Sequence, residues 1–305
     1  MSTARKGYFG TLLEPGLSEI FYNAYDEVPT LYQDLYKVLT SEKGFEKDLG
    51  IGAFGDFPEF DGTVEYDRPY EGYSKVYEFP EYAKGFQITR KLYDDDDTNT
   101  INSKPEQLGT RAARKKEQHA AAVFNNAFTA TYTGPDGVSL CDDEHPAQSY
   151  EESGGSEGVQ YRSNVGTLAL SHSALQTTKN LMRDTRDDRN FRIGIVPDLL
   201  LVPPEKEELA WQLIQSPLVV NSSDENPNIH QGRYKLMVWD ELTNEDAWFL
   251  IDSRYMKMFL KWFDRVPLEF AMTEDFDTLV AKYRAYMRYE CGWSDWVWIY
   301  GNDAG

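Results

Sequence analysis

Cys141, Asp142, Asp143, Glu144 and His145 stand side by side, the densest run of metal-ligating side chains in the sequence. A thiolate, carboxylates and an imidazole around a zinc-like ion could activate water, which would make Asp142, Glu144 and His145 the site of a metal-dependent hydrolase. Adjacent side chains diverge, however, and cannot easily all face one ion, and no second His/Cys pair lies nearby. The run therefore reads as a polar loop, and no metal is expected. The acidic stretch Asp94 to Asp97 invites calcium in the same way. It lacks the spaced ligands and turn glycine of an EF-hand loop and reads as a solvated entry to a helix.

Nucleophilic catalysis needs a Ser or Cys with a base placed beside it, and the sequence offers only four histidines for that role. His119 falls in a basic helical stretch, His145 in the acidic loop, His172 at a helix start and His230 in an Asn-rich loop. Each reads as structural or solvated. No GxxxxGK[ST] phosphate cradle occurs, and Gly50, Gly52 and Gly55 have dinucleotide-loop spacing without the preceding strand or following helix that would give it meaning. No catalytic or cofactor-binding residue is assigned and the chain is not expected to be an enzyme. Hydrolysis near Asp142, Glu144 and His145 stays as the alternative.

The bulk properties point the same way. With 31 Lys+Arg against 51 Asp+Glu, the formal net charge of −20 argues against a surface built to neutralise phosphates or anionic lipid. Such a surface is compatible with enclosing nucleic acid without adhering to it, and equally with keeping a concentrated protein soluble. Cys141 and Cys291 lie far apart in no ligand spacing and read as reduced thiols of a cytoplasmic product. The N-terminus lacks a secretory apolar region, and no apolar run approaches the ~20 residues of a membrane span.

The elements that must position these residues are legible in part. Leu31, Tyr32, Leu35, Tyr36 and Val38 suggest a short helix in an N-terminal stretch rich in tyrosine (22, 25, 32 and 36), whose rings need a surface to pack on. Val64 to Tyr66 and Tyr73 to Phe79 alternate across a turn at Pro69 and Gly72, a long β-hairpin, with a third strand from Gly85 to Tyr93. Two strands bearing Tyr66, Tyr70, Tyr73, Tyr77 and Phe79 cannot bury those rings among themselves, so the hairpin needs a neighbouring surface. Residues 104–130 form the clearest helix, with Leu108, Ala112, Ala120, Phe124 and Phe128 on one stripe and a basic middle of Arg111, Arg114, Lys115 and Lys116. That basic face is expected to pair with carboxylates of this subunit or the next. A helix over about 170–186, a strand at 198–202, a helix at 205–215 and strands at 234–239 and 247–252 follow. Alternation from Leu279 to Cys291 marks a long half-buried strand before Trp293, Trp296 and Trp298 dock on the body.

Read in order, several strings resemble the major capsid proteins of tailed bacteriophages, particularly the group similar to the phage Mu major head subunit. They are Val28-Pro-Thr30, Gly50-Ile-Gly-Ala-Phe-Gly55, Gly72-Tyr73 and Gly85-Phe-Gln-Ile-Thr-Arg90, then Ala120-Ala-Ala-Val-Phe-Asn-Asn-Ala-Phe128, Tyr132-Thr-Gly-Pro-Asp-Gly137 and His145-Pro146. Asp198-Leu-Leu-Leu-Val-Pro-Pro204, Asn226-Pro-Asn228, Asp246-Ala-Trp-Phe-Leu250 and Gly292-Trp-Ser-Asp-Trp296 complete the set. The resemblance implies an α+β chain with the HK97-like capsid fold: an N-terminal arm (1–55), an extended β-hairpin loop (56–97), a peripheral domain with a long spine helix (98–165 and 235–305) and an axial domain (166–234). It implies a structural subunit of an icosahedral shell, self-associating as hexamers and pentamers around double-stranded DNA. Scaffolding, portal and decoration proteins are its further expected partners, with assembly in the host cytoplasm and no membrane. Inter-subunit contacts are expected at Tyr66, Tyr70, Tyr73, Lys75, Tyr77 and Phe79 in the loop and at Arg111, Arg114, Lys115 and Lys116 on the helix.

Overall fold

The computed structural model describes residues 9–53, 56–57, 59–64, 66, 71–95, 100–146, 161–218, 227–275 and 277–305. Helix α1 (Phe9–Asp26), the single turn α2 (Tyr32–Leu35) and strand β1 (Lys37–Thr40) lead into β2 (Phe45–Ile51), β3 (Glu71–Glu78) and β4 (Glu81–Thr89). A short helix α3 (Arg90–Asp95) precedes the long helix α4 (Thr100–Asn125). After it come three two-residue strands, β5 (His145–Pro146), β6 (Tyr161–Arg162) and β7 (Val165–Gly166), then α5 (His172–Arg183), β8 (Leu199–Val202) and α6 (Glu207–Gln215). Strands β9 (Lys235–Val238) and β10 (Ala247–Ile251), helix α7 (Ser253–Phe259), and strands β11 (Leu260–Asp275), β12 (Val280–Trp293) and β13 (Ile299–Asp303) close the chain.

Two sheets carry the body. The first, in the order β1-β11-β12-β4, is built on the long β11–β12 hairpin, in which Leu260 pairs with Trp293 and Asp275 with Val280. Its register shifts between Asp264, Val266 and Glu269, a span containing Pro267, which has no N–H for the ladder. Along β12, Ala281, Tyr283, Ala285, Met287, Tyr289 and Cys291 are buried and alternate with exposed or half-exposed residues, the period-2 pattern legible in the sequence. The second sheet, in the order β7-β13-β10-β8-β9, has central strands buried on both faces. Leu199, Leu201, Phe249 and Ile251 join one core with Phe124, Trp239 and Trp298 from the α4 side. Leu200, Val202, Trp248 and Leu250 join another with Leu175 of α5 and Leu213 and Ile214 of α6. A strand covered on both sides reads as a continuous apolar run, as Leu199–Val202 does.

Helix α4 lies between the two sheets because its apolar stripe is broad: Leu108, Ala112, Ala113, Ala120, Ala121, Val123 and Phe124 are all buried. It begins at Thr100, with Pro105 inside it, and ends at Asn125, so Phe128 packs from the turn beyond it. Helix α1 crosses it so closely that a Cβ on Gly109 would lie 2.3 Å from the Phe21 carbonyl oxygen. Around the crossing, Trp262 stacks on Tyr289 (centroids 4.6 Å apart), Tyr32 packs on Trp262 (4.5 Å), and Lys116 reaches Asp264 (3.3 Å). Glu117, buried, accepts from the Tyr32 backbone N–H (3.1 Å) and the Trp239 indole (2.9 Å), so one carboxylate ties the N-terminal segment and the second sheet to α4.

The hairpin of the sequence reading is corrected. β3 pairs with β2, Phe45 opposite Glu78 and Leu49 opposite Ser74, while Val64 and Tyr66 lie outside any strand. The segment read as a third strand is β4, which pairs with β12 and turns helical at Arg90. Of the acidic stretch read as a loop, Asp94 and Asp95 end helix α3, where Asp94 pairs with Arg90 (2.9 Å), and Asp96 and Asp97 lie outside the described residues. Among the described residues no helix is long and apolar enough to cross a membrane.

Gly109→Ala should lower the urea midpoint by the equivalent of about 1–3 kcal/mol, the cost of overpacking, although alanine is the better helix former by ~1 kcal/mol. An unchanged or raised midpoint would show that the helices do not touch there. His119, its imidazole pKa lowered to about 4 by burial and by Lys115, and His230, lowered to about 4 by burial and by His172, stay neutral in the fold. The unfolded chain protonates them near 6.5, so their contribution is present above pH ~6.5 and lost as pH falls toward 4. Asp295, raised to about 6, opposes this trend below pH 6. Denaturation of His119→Gln at pH 7 and pH 5 should therefore show a smaller acid loss than the unsubstituted chain, and equal losses would contradict the assignment.

Candidate assembly surfaces

In an antiparallel pair, residues directly opposite share a face. On one face of β2–β3, Phe45, Lys47 and Leu49 stand opposite Glu78, Val76 and Ser74, all exposed; Ile51, at 72% exposure, extends the row beyond the register shift. The other face carries Glu46 opposite Tyr77 and Asp48 opposite Lys75, and it packs on the body. Tyr77 and Phe79 are buried against Phe263, Asp48 is bonded to Lys261, and Lys75 sits 5.4 Å over the Trp293 ring. Desolvation lowers the Lys75 pKa. At the root, the Ala53 N–H donates to Asp188 (3.2 Å), Arg189 donates to the Ala53 carbonyl (2.8 Å), and the Tyr73 hydroxyl donates to the Pro146 carbonyl (3.3 Å). The hairpin is thus anchored on its inner face and leaves an apolar row outward. Between its strands, Phe57, Phe60, Val64 and Tyr66 are exposed at 57% or more, interleaved with Asp56, Glu59 and Asp61.

The expected contact residues divide accordingly. Tyr66 is on the surface and Tyr73 and Lys75 are half-buried at the hairpin root, but the Tyr77 and Phe79 side chains belong to the subunit's own packing. Tyr70 lies outside the described residues. On α4, Arg111, Arg114 and Lys115 are exposed, whereas Lys116 is 4% exposed and points inward to Asp264 and the Trp262 and Tyr289 rings. Arg111, Arg114 and Lys115 share a face at i, i+3 and i+4, and Lys116, one position on, is rotated by about 100° away from Lys115 toward the body. The sequence reading missed the β2 row of Phe45, Leu49 and Ile51, whose outward apolar alternation carries no signal distinguishing it from an inward one.

The hydrolase candidate does not assemble. His145 is buried with Nδ1 on Asp136 (2.6 Å) and Nε2 on the Asn164 side-chain oxygen (3.0 Å), so both ring nitrogens are committed. Asp142 accepts from Ser139 (2.6 Å) and from the Glu144 backbone N–H (3.0 Å), while the Glu144 side chain faces solvent. His119, Glu290 and Cys291 do come within 4.8 Å of one another. The Cys291 thiol donates to the His119 carbonyl (3.7 Å), and burial holds its pKa well above the usual value, so it is a packed thiol. Cys141 and Cys291 are both free and buried.

Comparison with known proteins supplies the rest. Residues 72–302 match the family model described as phage capsid protein. Similar solved structures include the procapsid of bacteriophage JBD30 (14% identity, TM-score 0.55, 98% of this chain and 76% of that one). The capsid of cyanophage P-SCSP1u (12%, TM-score 0.61, 91% and 88%) and the mature capsid of bacteriophage PhiM1 (8%, TM-score 0.58, 90% and 87%) are similar across nearly the whole fold. No curated protein matches.

The division between outer and inner hairpin faces is open to measurement. Phe45→Ser and Leu49→Ser should each leave the stability of the free subunit within about 0.5 kcal/mol, whereas Tyr77→Ala should cost about 3 kcal/mol or more. Comparable losses on both faces, read by urea denaturation, would mean that the outer row is packed on the subunit itself.

Proposed function

The chain belongs to the phage capsid protein family, and from that premise we propose that its outward hairpin row and the exposed basic face of α4 are the surfaces by which copies join into hexamers and pentamers. The chain itself is a structural capsid subunit with the HK97-like fold, and it is not an enzyme. The observation that carries the proposal is the row of Phe45, Leu49, Ile51 and Val76, exposed on a two-stranded sheet whose other face is occupied. Two strands are marginal in water, and a contiguous apolar face marks an interaction site. In a closed shell the covering surface is another copy, repeated by symmetry.

Tyr66 would join that contact from the loop, while Tyr73 and Lys75 brace the hairpin from its inner side, and Arg111, Arg114 and Lys115 would meet carboxylates of a neighbour, with Asp56, Glu59 and Asp61 available on each copy. We assign the spine role to α4 and the extended loop to the β2–β3 hairpin with its connecting segment. The first sheet with α1 then forms the peripheral domain, and the second sheet with α5 and α6 the axial domain, which thereby draws on β9, β10 and β13 beyond residues 166–234. The net charge of −20 supports enclosure of DNA without strong adhesion. Assembly in the host cytoplasm, with scaffolding, portal and decoration proteins as further partners, completes the proposal, and the ordered strings from Ala120 to Trp296 support placement near the Mu-like group.

Replacing Phe45, Leu49 and Ile51 together by Asp tests it. These side chains lie on the outer face, while Tyr77 and Phe79 pack on the inner one, so the subunit should keep its circular dichroism and cooperative melt while closed particles vanish from negative-stain fields. Closed shells of normal size from the substituted chain would overturn the proposal.

A further inference from the structure

The chain's net charge of −20 is unevenly distributed. The whole stretch from Gly158 to Arg183 carries no Asp or Glu, and neither does Asn226 to Trp239, although 51 of the 305 residues are acidic and a stretch as long as the first would ordinarily hold several. The fold packs these two stretches together. The His172 and His230 rings meet edge to face with centroids 4.5 Å apart, and His230 Nε2 donates to the His172 carbonyl (3.2 Å). On its other side the turn is tied to the end of α6, since Asn228 donates to the Leu213 and Ser216 carbonyls (2.6 and 2.9 Å) and the Gly232 N–H to the Ile214 carbonyl (2.9 Å). Arg233 therefore stands on a fixed turn beside α5.

Helix α5 buries Ala174, Leu175, Thr178 and Met182, which leaves Ser173, Gln176, Thr177, Lys179, Asn180 and Arg183 on its open side. Lys179 and Arg183 are one turn apart, about 6 Å along the axis, and like charges at that spacing destabilise a helix. Desolvation lowers the Lys179 pKa, and Arg233 and then Arg183 lower it further, with no carboxylate acting against them. Lys179 donates to the neutral Gln176 side chain (2.7 Å), and Arg183 and Arg233 have no ion-pair partner among the described residues. The carboxylates that adjoin this face are committed or distant. Asp184 is shared by Arg186 (3.6 Å) and Arg192 (2.6 Å), and Asp187 accepts from the Arg189 and Phe191 backbone N–H groups (3.0 and 2.8 Å). Asp188 is turned to the hairpin root, where it accepts from the Ala53 N–H (3.2 Å). Glu207 and Glu208 lie in the first turn of α6, at the opposite end from the Gln215 carbonyl that Gln231 meets (3.3 Å), and Asp224 and Glu225 lie outside the described residues.

We propose that this face, Lys179 and Arg183 of α5 with Arg233 beside them, is where the subunit touches the phosphate backbone of double-stranded DNA. Phosphates are contacted by Lys and Arg and by the neutral side chains Ser, Thr, Asn and Gln, which is the composition of the open side of α5. A protein partner would need an apolar centre to meet, and Leu181 is the one large apolar side chain that α5 exposes. So few cations make a contact that is weak and independent of base sequence. An acidic shell protein can in this way steady DNA at a few points while the rest of its surface repels it. That the polyanion is packaged DNA rests on the capsid reading, and it turns α5 toward the lumen; the local excess of positive charge stands without it.

Fluorescence anisotropy of a labelled random-sequence duplex, titrated with the full chain at about 50 to 200 mM salt, tests the proposal. Binding should saturate and weaken with salt, with a log–log slope of about −3 for three neutralised phosphates. Arg183→Gln and Arg233→Gln, both at exposed positions, should each weaken binding about threefold or more at the lowest salt and reduce the slope by about 1. Lys43→Gln, exposed between β1 and β2, should change neither. Changing Lys179, Arg183 and Arg233 together to Gln should abolish binding while shells still form. A duplex that binds the triple variant as well as the unsubstituted chain, or fails to bind the unsubstituted chain at the lowest salt, would overturn the proposal. So would tighter binding of polyglutamate than of DNA, or loss of shells in the triple variant, either of which would mark a protein-docking face. DNA binding is read on free subunits, so its failure leaves shell assembly, and with it the capsid reading, untouched.

Discussion

Strand β12 sends Ala281, Tyr283, Ala285, Met287, Tyr289 and Cys291 to one side, and α1 and α4 cover that side. The rest of the molecule is arranged around this contact. Tyr289 stacks on Trp262, which fixes β11 beside β12, and Trp262 in turn receives Tyr32 and Tyr36 from the N-terminal segment. Within the same layer, the Lys116 ammonium is paired with Asp264, and removing either partner would strand a charge in a poorly solvated place. On its far side α4 gives Phe124 to Trp239, Phe249 and Trp298, so one helix serves as a wall for both sheets.

How much of this the sequence discloses depends on whether a residue's periodicity and its partner agree. β12 and α4 are legible because each buries one clean face, and β8 and β10 because they are short apolar runs. Helix α1 contains Pro15 and Gly16, which hide its pattern, and β11 contains Pro267 at a register break. The hairpin is misplaced because Val64 and Tyr66 imitate alternation, while β2 alternates with its apolar residues outward. Lys116 illustrates a second limit: its place in the basic run suggests the surface, and only the tertiary position of Asp264 draws it inside.

The function follows from what the body leaves uncovered. A core with buried tryptophans, satisfied by α1, α4, α5 and α6, makes a rigid platform, and on it the hairpin is fixed by its inner face through Tyr77, Phe79, Asp48 and the root contacts at Ala53 and Tyr73. Its outer face carries Phe45, Leu49, Ile51 and Val76 among Lys47, Ser74 and Glu78 and points away from that platform. An enzyme would concentrate polar groups in a pocket with a reacting partner to hold; here His145 and Asp142 are consumed by internal hydrogen bonds. On the proposed reading, the chain acts through these uncovered surfaces, which further copies would complete.

A cysteine placed at Leu49 measures this directly. Both native thiols are buried, so in Leu49→Cys the introduced sulfur is the one a maleimide probe should reach. Labelling should be fast in free subunits and slowed at least tenfold in assembled shells, where a neighbouring copy covers the outer row. Equal labelling rates in the two states would contradict the account.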